Sequence, residues 1–449
     1  MSGAASGAAS AAGNGAAGGQ LPGWLGQATH RAWLDEHCRD LLAFGQLFPA
    51  DGGGASWLDD EGDPDPSRGV QTWITARMAH VYSLGHLMGV PGAGPLADEA
   101  LAGLLPGGPL HDAEHGGWFS KVDEDGTPAE GKACYDHAFV VLASSTATAA
   151  GRPGAADLFA AALAVYEERF WDEEAGLPVD TWDTSFTELD GYRGINGAMH
   201  STEALLAAAD VLTDVLGDPE AAAVWRGRAL GVFARVAEWA RGNDWRIPEH
   251  FDSSWTADLE YNADKRSDPF KPYGATIGHG LEWARLLLHG EAAARAAGEE
   301  PPAGLLEAAE ALFAGAVADG WDVDGMPGFV YTTDWSGAPV VRDRMHWVPA
   351  EATAAAAALA IRTAGGEGGL AERAEGYAAQ YALWWDHIAD VVIDHENGSW
   401  HHQLDPKNRP VGTVWPGKAD LYHAVQATLV PRLPLQPSFA TALRRGLLG

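Results

Sequence analysis

The chain has 449 residues, of which 46% are hydrophobic and 20% are charged, so it can form one large globular domain or two to three ordinary ones. Its 62 acidic and 29 basic residues give a net charge of −33, which disfavours binding to nucleic acid and to anionic membrane surfaces. No apolar run approaches the ~18 residues that suggest a membrane helix. We therefore expect a globular protein with no nucleic-acid partner and no membrane partner.

The start of the chain, MSGAASGAASAAGNGAAGG, is a low-complexity segment that can bury little apolar surface. It lacks the basic start and apolar core of a secretory signal. The two cysteines, Cys38 and Cys134, are too few for a disulfide framework and have no metal-ligand spacing, as is usual in a reducing compartment. We expect a disordered tail over residues 1–20, one domain over 21–449 and a cytoplasmic location.

Six apolar helical segments recur along the chain, each entered from a loop rich in glycine and polar residues. Their starts lie about 60 to 80 residues apart, which suits a repeated helical hairpin with a long loop. The six segments begin at Arg68, Tyr135, Asn196, Gly274, Met345 and Lys418. They are apolar on nearly all sides, which predicts helices that are packed on all sides.

Amphipathic segments lie between these apolar ones, with apolar residues at spacings of three and four. Examples cover residues 27–46, 155–170, 219–241, 303–318 and 367–390. One polar face on each predicts an outer helix that contacts water. The sequence thus indicates inner and outer helices in alternation.

A second repeat marks the long loops, where an aromatic residue stands beside Asp or Glu, glycine and a short alternating stretch. EHGGWFSKVDEDGTP and GWDVDGMPGFVYTTDWSG are two examples. This pattern predicts tight turns between brief strands. Six inner helices, about six outer helices and hairpins at one end describe an all-α protein, an (α/α)6 barrel. A two-domain α/β fold is disfavoured because no G-x-G-x-x-G or phosphate loop precedes a helix.

The N-terminal ends of the inner helices meet at one end of such a barrel, and titratable residues are concentrated there. Five of the six ends bring a histidine. The residues at these ends are Arg68, Asp136, His137, Asn196, His200, Glu203, His279, Glu282, Trp283, His346, Trp347, Glu351, Lys418, Asp420, Tyr422 and His423. Independent surface pairs would not all fall in the first turns of apolar helices, so this repetition predicts a functional pocket.

Three chemistries could use the pocket. Glycoside hydrolysis needs two carboxylates, which Asp136, Glu203, Glu282 or Glu351 could supply, but it leaves the histidines without a role. Metal-assisted chemistry needs three ligands that meet, and neither HDAEH (111–115) nor the histidine pair at 401–402 lies in an inner helix with a third partner. Proton transfer beside a sugar carbonyl needs two acid–base groups and a cation, and His279, His423 and Arg68 supply them.

At these residues the sequence resembles the N-acylglucosamine 2-epimerase superfamily, in particular its branch of mannose and sulfoquinovose isomerases. The matching stretches run through most of the chain in the family's order. They are SRGVQTW (67–73), NGAMHSTEA (196–204), GHGLEW (278–283), MHWVPAEA (345–352) and VWPGKADLYHAVQATLVPRLPL (414–435). The resemblance implies an (α/α)6 barrel, in agreement with the helical repeat.

The resemblance also implies roles for individual residues. His279 and His423 are the expected catalytic pair, while Trp347 and Trp57 are expected to form walls of the pocket. The residues expected to bind or polarise the sugar are Arg68, Asn196, His200 and Glu282. The residues expected to orient the histidines are Glu203, Glu351, Asp420 and Tyr422.

The implied activity is a cofactor-independent and metal-independent isomerisation of a free hexose. D-mannose to D-fructose is the favoured reaction, by histidine acid–base transfer through a cis-enediol. Sulfoquinovose isomerisation and 2-epimerisation of cellobiose or an N-acylglucosamine remain open, as does the choice between a monomer and a homo-oligomer. The aromatic-rich stretch 249–274, which precedes the helix of His279, is a candidate lid or substrate-selecting loop.

Overall fold

The structure is a computed structural model that describes residues 21–364, 366 and 369–449. The tail expected at residues 1–20 lies outside the described residues. The described part of the chain contains thirteen α-helices: α1 (Ala28–Phe44), α2 (Thr72–Leu87), α3 (Ala93–Ala102), α4 (Cys134–Ala149), α5 (Ala155–Val165), α6 (Ile195–Val211), α7 (Pro219–Gly242), α8 (Ile277–Ala296), α9 (Leu305–Gly320), α10 (Trp347–Ala364), α11 (Leu370–His387), α12 (Tyr422–Leu429) and α13 (Phe439–Arg444).

The even-numbered helices from α2 to α12 form an inner ring, and the odd-numbered helices from α1 to α11 lie outside it. Successive inner helices pack against one another, and α12 closes the ring by contacting both α10 and α2. This arrangement confirms the predicted (α/α)6 barrel. The short helix α13 contacts α2, α4 and α6, whereas α3 was not among the predicted segments.

The amino-acid composition of a helix explains whether it lies in the inner or the outer ring. The helix α10 contains a run of five alanines from Ala354 to Ala358, all buried, and alanine combines high helix propensity with a side chain small enough for close packing. The outer helix α7 begins with Pro219 at its first position, and the Asp218 carboxylate caps it by accepting a hydrogen bond from the Ala221 amide at 3.0 Å. Its other residues alternate between core and solvent, as expected of an outer helix.

Among the described residues, fifteen short strands lie in the loops: β1 (Trp57–Leu58), β2 (Pro64–Asp65), β3 (Val70–Gln71), β4 (Lys121–Val122), β5 (Lys132–Ala133), β6 (Trp171–Asp172), β7 (Leu177–Pro178), β8 (Thr181–Trp182), β9 (Arg193–Gly194), β10 (His250–Phe251), β11 (Ala275–Thr276), β12 (Thr332–Thr333), β13 (Pro339–Val341), β14 (Arg344–Met345) and β15 (Gln403–Leu404). Five of them, β3, β5, β9, β11 and β14, come immediately before an inner helix.

These five strands connect neighbouring loops around the end of the barrel. Each pairs antiparallel with a strand of the next long loop, in the pairs β3–β4, β5–β8, β9–β10, β11–β12 and β14–β15. The sixth connection is made by the Lys418 amide, which donates to the Leu58 carbonyl at 3.0 Å. The predicted hairpins are therefore present. Backbone hydrogen bonds also connect the loops into a ring, and this ring fixes where each inner helix begins.

None of the described helices is both long and apolar enough to cross a membrane.

Candidate active site

A pocket opens where the N-terminal ends of the inner helices meet, and every inner helix contributes to its wall. These wall residues are Trp73, Arg77, Tyr135, Asn196, His200, His279, Glu282, Trp347 and His423. Its volume is about 720 Å3 with the open mouth included.

His423 stands at the start of α12 and is held from behind by a buried carboxylate. Its Nδ1 lies 3.0 Å from Oε1 of Glu351 on α10. The other Glu351 oxygen accepts a hydrogen bond from Nε of Arg285 on α8, at 2.9 Å. Burial lowers the pKa of His423 well below its usual range, and the Arg77 guanidinium lowers it further. His423 is therefore neutral at neutral pH, with its Nε2 left for a ligand.

His279 stands in the first turn of α8 and is held in a similar way by a different carboxylate. Its Nδ1 lies 2.8 Å from Oε2 of Glu249, which the sequence analysis did not single out. The other oxygen of Glu249 accepts the Thr276 amide at 3.1 Å. Since Nδ1 of each histidine is occupied by its carboxylate, both imidazoles have Nε2 free for a ligand in the pocket.

The indole of Trp347 lies between the two histidines. Its ring centroid is 5.4 Å from that of His279 and 5.7 Å from that of His423. The indole reaches this place because residue 278 is glycine, where an added Cβ would lie 2.1 Å from the Trp347 ring. The expected wall residue thus sets the spacing of the histidine pair.

The cation in the pocket is Arg77, not the expected Arg68. Arg68 pairs with Asp65 at 3.3 Å, and its side chain is 39% exposed outside the pocket lining. Arg77, one turn after Trp73 on α2, donates to Asp420 at 3.1 Å and to the hydroxyl of Tyr135 at 3.0 Å. Arg68 still touches the site indirectly, since its guanidinium lies over the indole of Trp57.

Asp420 and Lys418 precede α12, which begins at Tyr422. Asp420 lines the pocket beside Arg77. Burial acts to raise the pKa of the Asp420 carboxyl, but the Arg77 guanidinium, the rings of His346 and His423 and the Tyr422 amide together outweigh burial, so the pKa lies below its ordinary value. Lys418 is fully buried and does not line the pocket, because its ammonium binds Asp394 at 2.7 Å and the carbonyl of Gly398 at 2.8 Å.

A charged layer lies directly behind the pocket. Tyr422 donates its hydroxyl to Glu203, whose other oxygen accepts the amide of Gln426 at 3.0 Å. Burial acts to raise the pKa of Glu203, but the nearby His200 imidazole and the Arg285 guanidinium hold it below its ordinary value. Glu203 and Tyr422 therefore lie behind the pocket and are joined by a hydrogen bond.

Glu282 and His200 face the pocket from α8 and α6. Burial raises the pKa of Glu282 well above its ordinary value, and the charge of Glu351 raises it further. One Glu282 oxygen lies 3.4 Å from the Arg285 guanidinium, and the other has no partner among the described residues. Burial lowers the pKa of His200 to about 4. The pocket therefore presents a neutral imidazole and a buried carboxyl with spare hydrogen-bonding capacity.

A second pair of histidines, His346 and His402, forms another part of the wall. Their rings are stacked, with centroids 3.9 Å apart and planes 3° from parallel. Burial lowers the pKa of His346 to about 4 and that of His402 well below its usual range. His346 was named at a helix end, but His402 was considered only as a metal ligand, because the loop that carries it gives no helical signal.

The mouth of the pocket is aromatic. The indole nitrogen of Trp57 donates to the Pro416 carbonyl at 2.8 Å, which fixes that ring in the lining. Phe270, in the stretch 249–274, is 50% exposed and lies edge-on to Trp415 with centroids 5.2 Å apart. The stretch therefore forms part of the rim, and its movement as a lid stays a prediction.

Two sets of residues have ligand atoms close enough to hold a metal ion, within 4.8 Å of one another. They are His200, Glu203 and Glu282, and Glu282, Glu351 and His423. In each set one carboxylate already accepts hydrogen bonds from protein donors: Tyr422 and Gln426 serve Glu203, and Arg285 serves Glu351. Glu282, which both sets share, lies 3.4 Å from the Arg285 guanidinium through one oxygen, and its other oxygen has no partner among the described residues.

Comparison with known proteins agrees with this fold. A relative from Thermobifida fusca, named D-mannose isomerase, is 50% identical over 94% of this chain and 98% of its own length. Another D-mannose isomerase, from Pseudomonas cannabina pv. alisalensis, is 45% identical over 94% of this chain and 97% of its own. The crystal structure of a D-mannose isomerase is 26% identical and superposes with a TM-score of 0.78, covering 89% of this chain and 97% of that one.

The fold and the pocket define an (α/α)6-barrel protein with a paired-histidine site at one end of the barrel. The sequence profile of N-acylglucosamine 2-epimerase matches residues 53–427, which include every pocket residue named above. The chain belongs to the N-acylglucosamine 2-epimerase family.

Proposed function

We propose that this protein is an aldose–ketose isomerase that converts free D-mannose into D-fructose. The observation that carries the proposal is the pair His279 and His423, each held at Nδ1 by a buried carboxylate and placed on either side of Trp347. A binding protein has no need of two such proton carriers. The names and high identities of the two relatives support the choice of reaction and substrate.

His279 handles the oxygen protons in the proposed mechanism. In its protonated form it donates the Nε2 proton to the ring oxygen O5 as the C1–O5 bond breaks, and the neutral imidazole then takes the O1 hydroxyl proton as the C1=O bond of the open-chain aldehyde forms. Glu249 holds the ring of His279 and stabilises the imidazolium that forms when the proton returns. The carboxylate thus lets one imidazole act as acid and then as base.

His423 handles the carbon-bound proton. Its Nε2 takes the proton from C2 of the aldehyde, and the C–H electron pair forms the C1=C2 double bond of a cis-enediol as O1 takes a proton from the His279 imidazolium. Delivery of a proton from His423 to C1 and transfer of the O2 proton to His279 then give the ketose. Only protons move within one sugar, so the balance needs no external oxidant or reductant.

The environment of His423 suits this role. Its lowered pKa keeps the imidazole neutral and able to accept a proton at neutral pH. Glu351 then faces the imidazolium that forms, while Arg77 supplies positive charge near the developing enediolate. Asn196 and His200 offer hydrogen-bonding groups for the sugar hydroxyls.

The charge of the lining favours a neutral hexose over a sulfosugar. Among the described lining residues, Arg77 is the only Lys or Arg, and it is already paired with Asp420. The stacked His346 and His402 are neutral, since burial lowers their pKa values far below 7. A sulfonate would enter without an unpaired cation to meet it, which disfavours sulfoquinovose.

The remaining expectations are consistent with an enzyme of sugar metabolism. Residues 21–449 act as one catalytic domain in this proposal, and a monosaccharide is the only partner that the reaction requires. Both cysteines are buried as free thiols, which suits a reducing, cytoplasmic location.

Proton NMR of the purified protein with D-mannose in deuterium oxide tests the substrate and the reaction together. The expected product is D-fructose with deuterium at C1, formed equally well after EDTA treatment. Formation of D-glucose before fructose would identify an epimerase instead. Unchanged mannose, with turnover of sulfoquinovose or cellobiose in parallel tubes, would overturn the proposal.

A further inference from the structure

A second cavity lies inside the barrel behind the active-site pocket. It is lined by residues of α2, α4, α6 and α8 and by residues 435–440, and we call it the rear chamber. Glu203 and Arg285 line it. Through Tyr422 and Glu351, these same two residues support the active-site pocket on their other side. The rear chamber therefore borders the charged layer beneath the proposed catalytic residues.

Two buried histidines of the rear chamber each have one ring nitrogen without a partner. Nδ1 of His80 lies 2.7 Å from the Thr146 hydroxyl, and Nδ1 of His289 lies 2.8 Å from the Leu435 carbonyl. The Nε2 atoms of both are buried, and neither has a hydrogen-bond partner among the described residues. His80 is 2% exposed and His289 is 9% exposed, so bulk water does not serve them.

The chemistry of these atoms limits what can occupy the chamber. Because His289 donates from Nδ1 to a carbonyl, its neutral ring offers Nε2 only as an acceptor. Burial lowers the pKa of both histidines to about 4, so both are neutral at neutral pH. The occupant must therefore donate a hydrogen bond to His289 and bond to His80 as well. A water molecule can do both.

The space matches this requirement. About 40 Å3 of the rear chamber is open to the centre of a water molecule. One water needs about 10–15 Å3 by this measure, which leaves room for about three. We propose that the rear chamber is a water-binding site in which about three ordered waters connect His80 and His289 with Glu203 and Arg285.

Such waters would hydrate the charged layer from the side opposite the sugar. Glu203 has protein donors in Tyr422 and Gln426, and Arg285 has acceptors in Glu351 and Glu282. Water in the rear chamber can form further hydrogen bonds with Glu203 and Arg285 and leave their contacts with protein groups unchanged. The site is independent of the identity of the substrate.

A high-resolution crystal structure of the full chain, with and without xenon pressure, tests the proposal. The expected map shows two or three ordered waters in the rear chamber, one about 3 Å from each free Nε2, and no xenon. A dry chamber that takes up xenon would overturn the proposal. So would a structure in which both Nε2 atoms bond to protein groups.

A variant makes the same test in solution. His289→Phe removes one acceptor and leaves the chamber more apolar, so we expect xenon binding by 129Xe NMR to become saturable only in this variant. His86→Phe, the same replacement at an exposed position near the end of α2, is the matched control and should behave like the wild type. Saturable binding by the wild type would contradict the proposal, even if His289→Phe fails to fold.

Discussion

The two carboxylate-held histidines of the pocket differ in what stands behind them. Glu249 comes from the loop before α8 and is held by His279 and the Thr276 amide alone. Glu351 comes from inside the helical ring and divides its two oxygens between His423 and Arg285. Each site thus pairs a histidine with a glutamate, but the glutamate also contacts a neutral amide in one site and a buried cation in the other. Similar histidines can therefore take different proton-transfer roles.

Removal of one of the two imidazoles is expected to have the largest effect on activity. His279→Asn keeps a polar group of similar size but cannot carry the proton, so we expect kcat for D-mannose to fall by about 10²–10⁴. Steady-state assays with a fructose-specific readout measure this loss, and His86→Asn serves as the control. A folded His279→Asn with normal kcat would remove His279 from the mechanism.

The next effect separates the two carboxylates. Glu351→Gln and Glu249→Gln should each lower kcat by about 10–100-fold, because each weakens the hydrogen bond that orients a histidine. Only Glu351→Gln also leaves Arg285 without its closest buried anion, so its unfolding free energy should fall by about 3–5 kcal/mol. Glu249→Gln should lose about 1 kcal/mol.

Urea unfolding followed by circular dichroism measures both stabilities in one experiment. Equal losses for the two variants would show that the Arg285 contact does not distinguish the two histidine sites.

A smaller effect separates the two candidate cations. Arg77→Met removes the guanidinium that lines the pocket and should lower kcat/KM about 10–100-fold, since hydrogen bonds to charged groups contribute about 1.5–3 kcal/mol. Arg68→Met changes an exposed side chain outside the lining and should change kcat/KM by less than about twofold. A larger loss of kcat/KM in Arg68→Met than in Arg77→Met would instead assign Arg68 as the cation that acts in the pocket.

A further effect is a pH dependence of stability that the buried histidines share. Burial lowers the pKa of His80, His200, His289 and His346 to about 4, whereas the unfolded chain titrates them near 6.5. Between these values the unfolded state binds more protons, so stability falls as the pH falls from 6.5 towards 4. Each such histidine contributes up to about 1.4 kcal/mol per pH unit.

The midpoints of urea unfolding at pH 7 and pH 5 measure this change in stability, and His289→Phe should make the change smaller. A stability that stays constant over this range would mean that these histidines are solvated in the folded state.

The helical architecture could be predicted from sequence because each inner helix is apolar on nearly all sides. The predicted starts at Tyr135 and Asn196 lie one residue from the observed starts at Cys134 and Ile195. The predicted start at Lys418 lies four residues before the observed start at Tyr422, because Asp420 and its neighbours belong to an extended approach to the helix.

The structure places the expected cation, Arg68, outside the pocket lining for a recognisable reason. Arg68 lies at a helix approach, where polar residues were expected to gather, whereas Arg77 lies inside the apolar segment WITARMAH. A charged residue within a helix that is otherwise buried needs a partner, and this signal could have identified Arg77. Glu249 could not be found this way, because its contact with His279 depends on how a long loop returns to the barrel.

The most direct test of the proposed mechanism is proton NMR of His423→Asn with D-mannose in deuterium oxide. We expect a folded variant with a wild-type melting temperature that forms no fructose and incorporates no deuterium at C1 or C2, because the base that breaks the C2–H bond is missing. A folded variant that forms C1-deuterated fructose at close to the wild-type rate would contradict the assignment of His423 as that base.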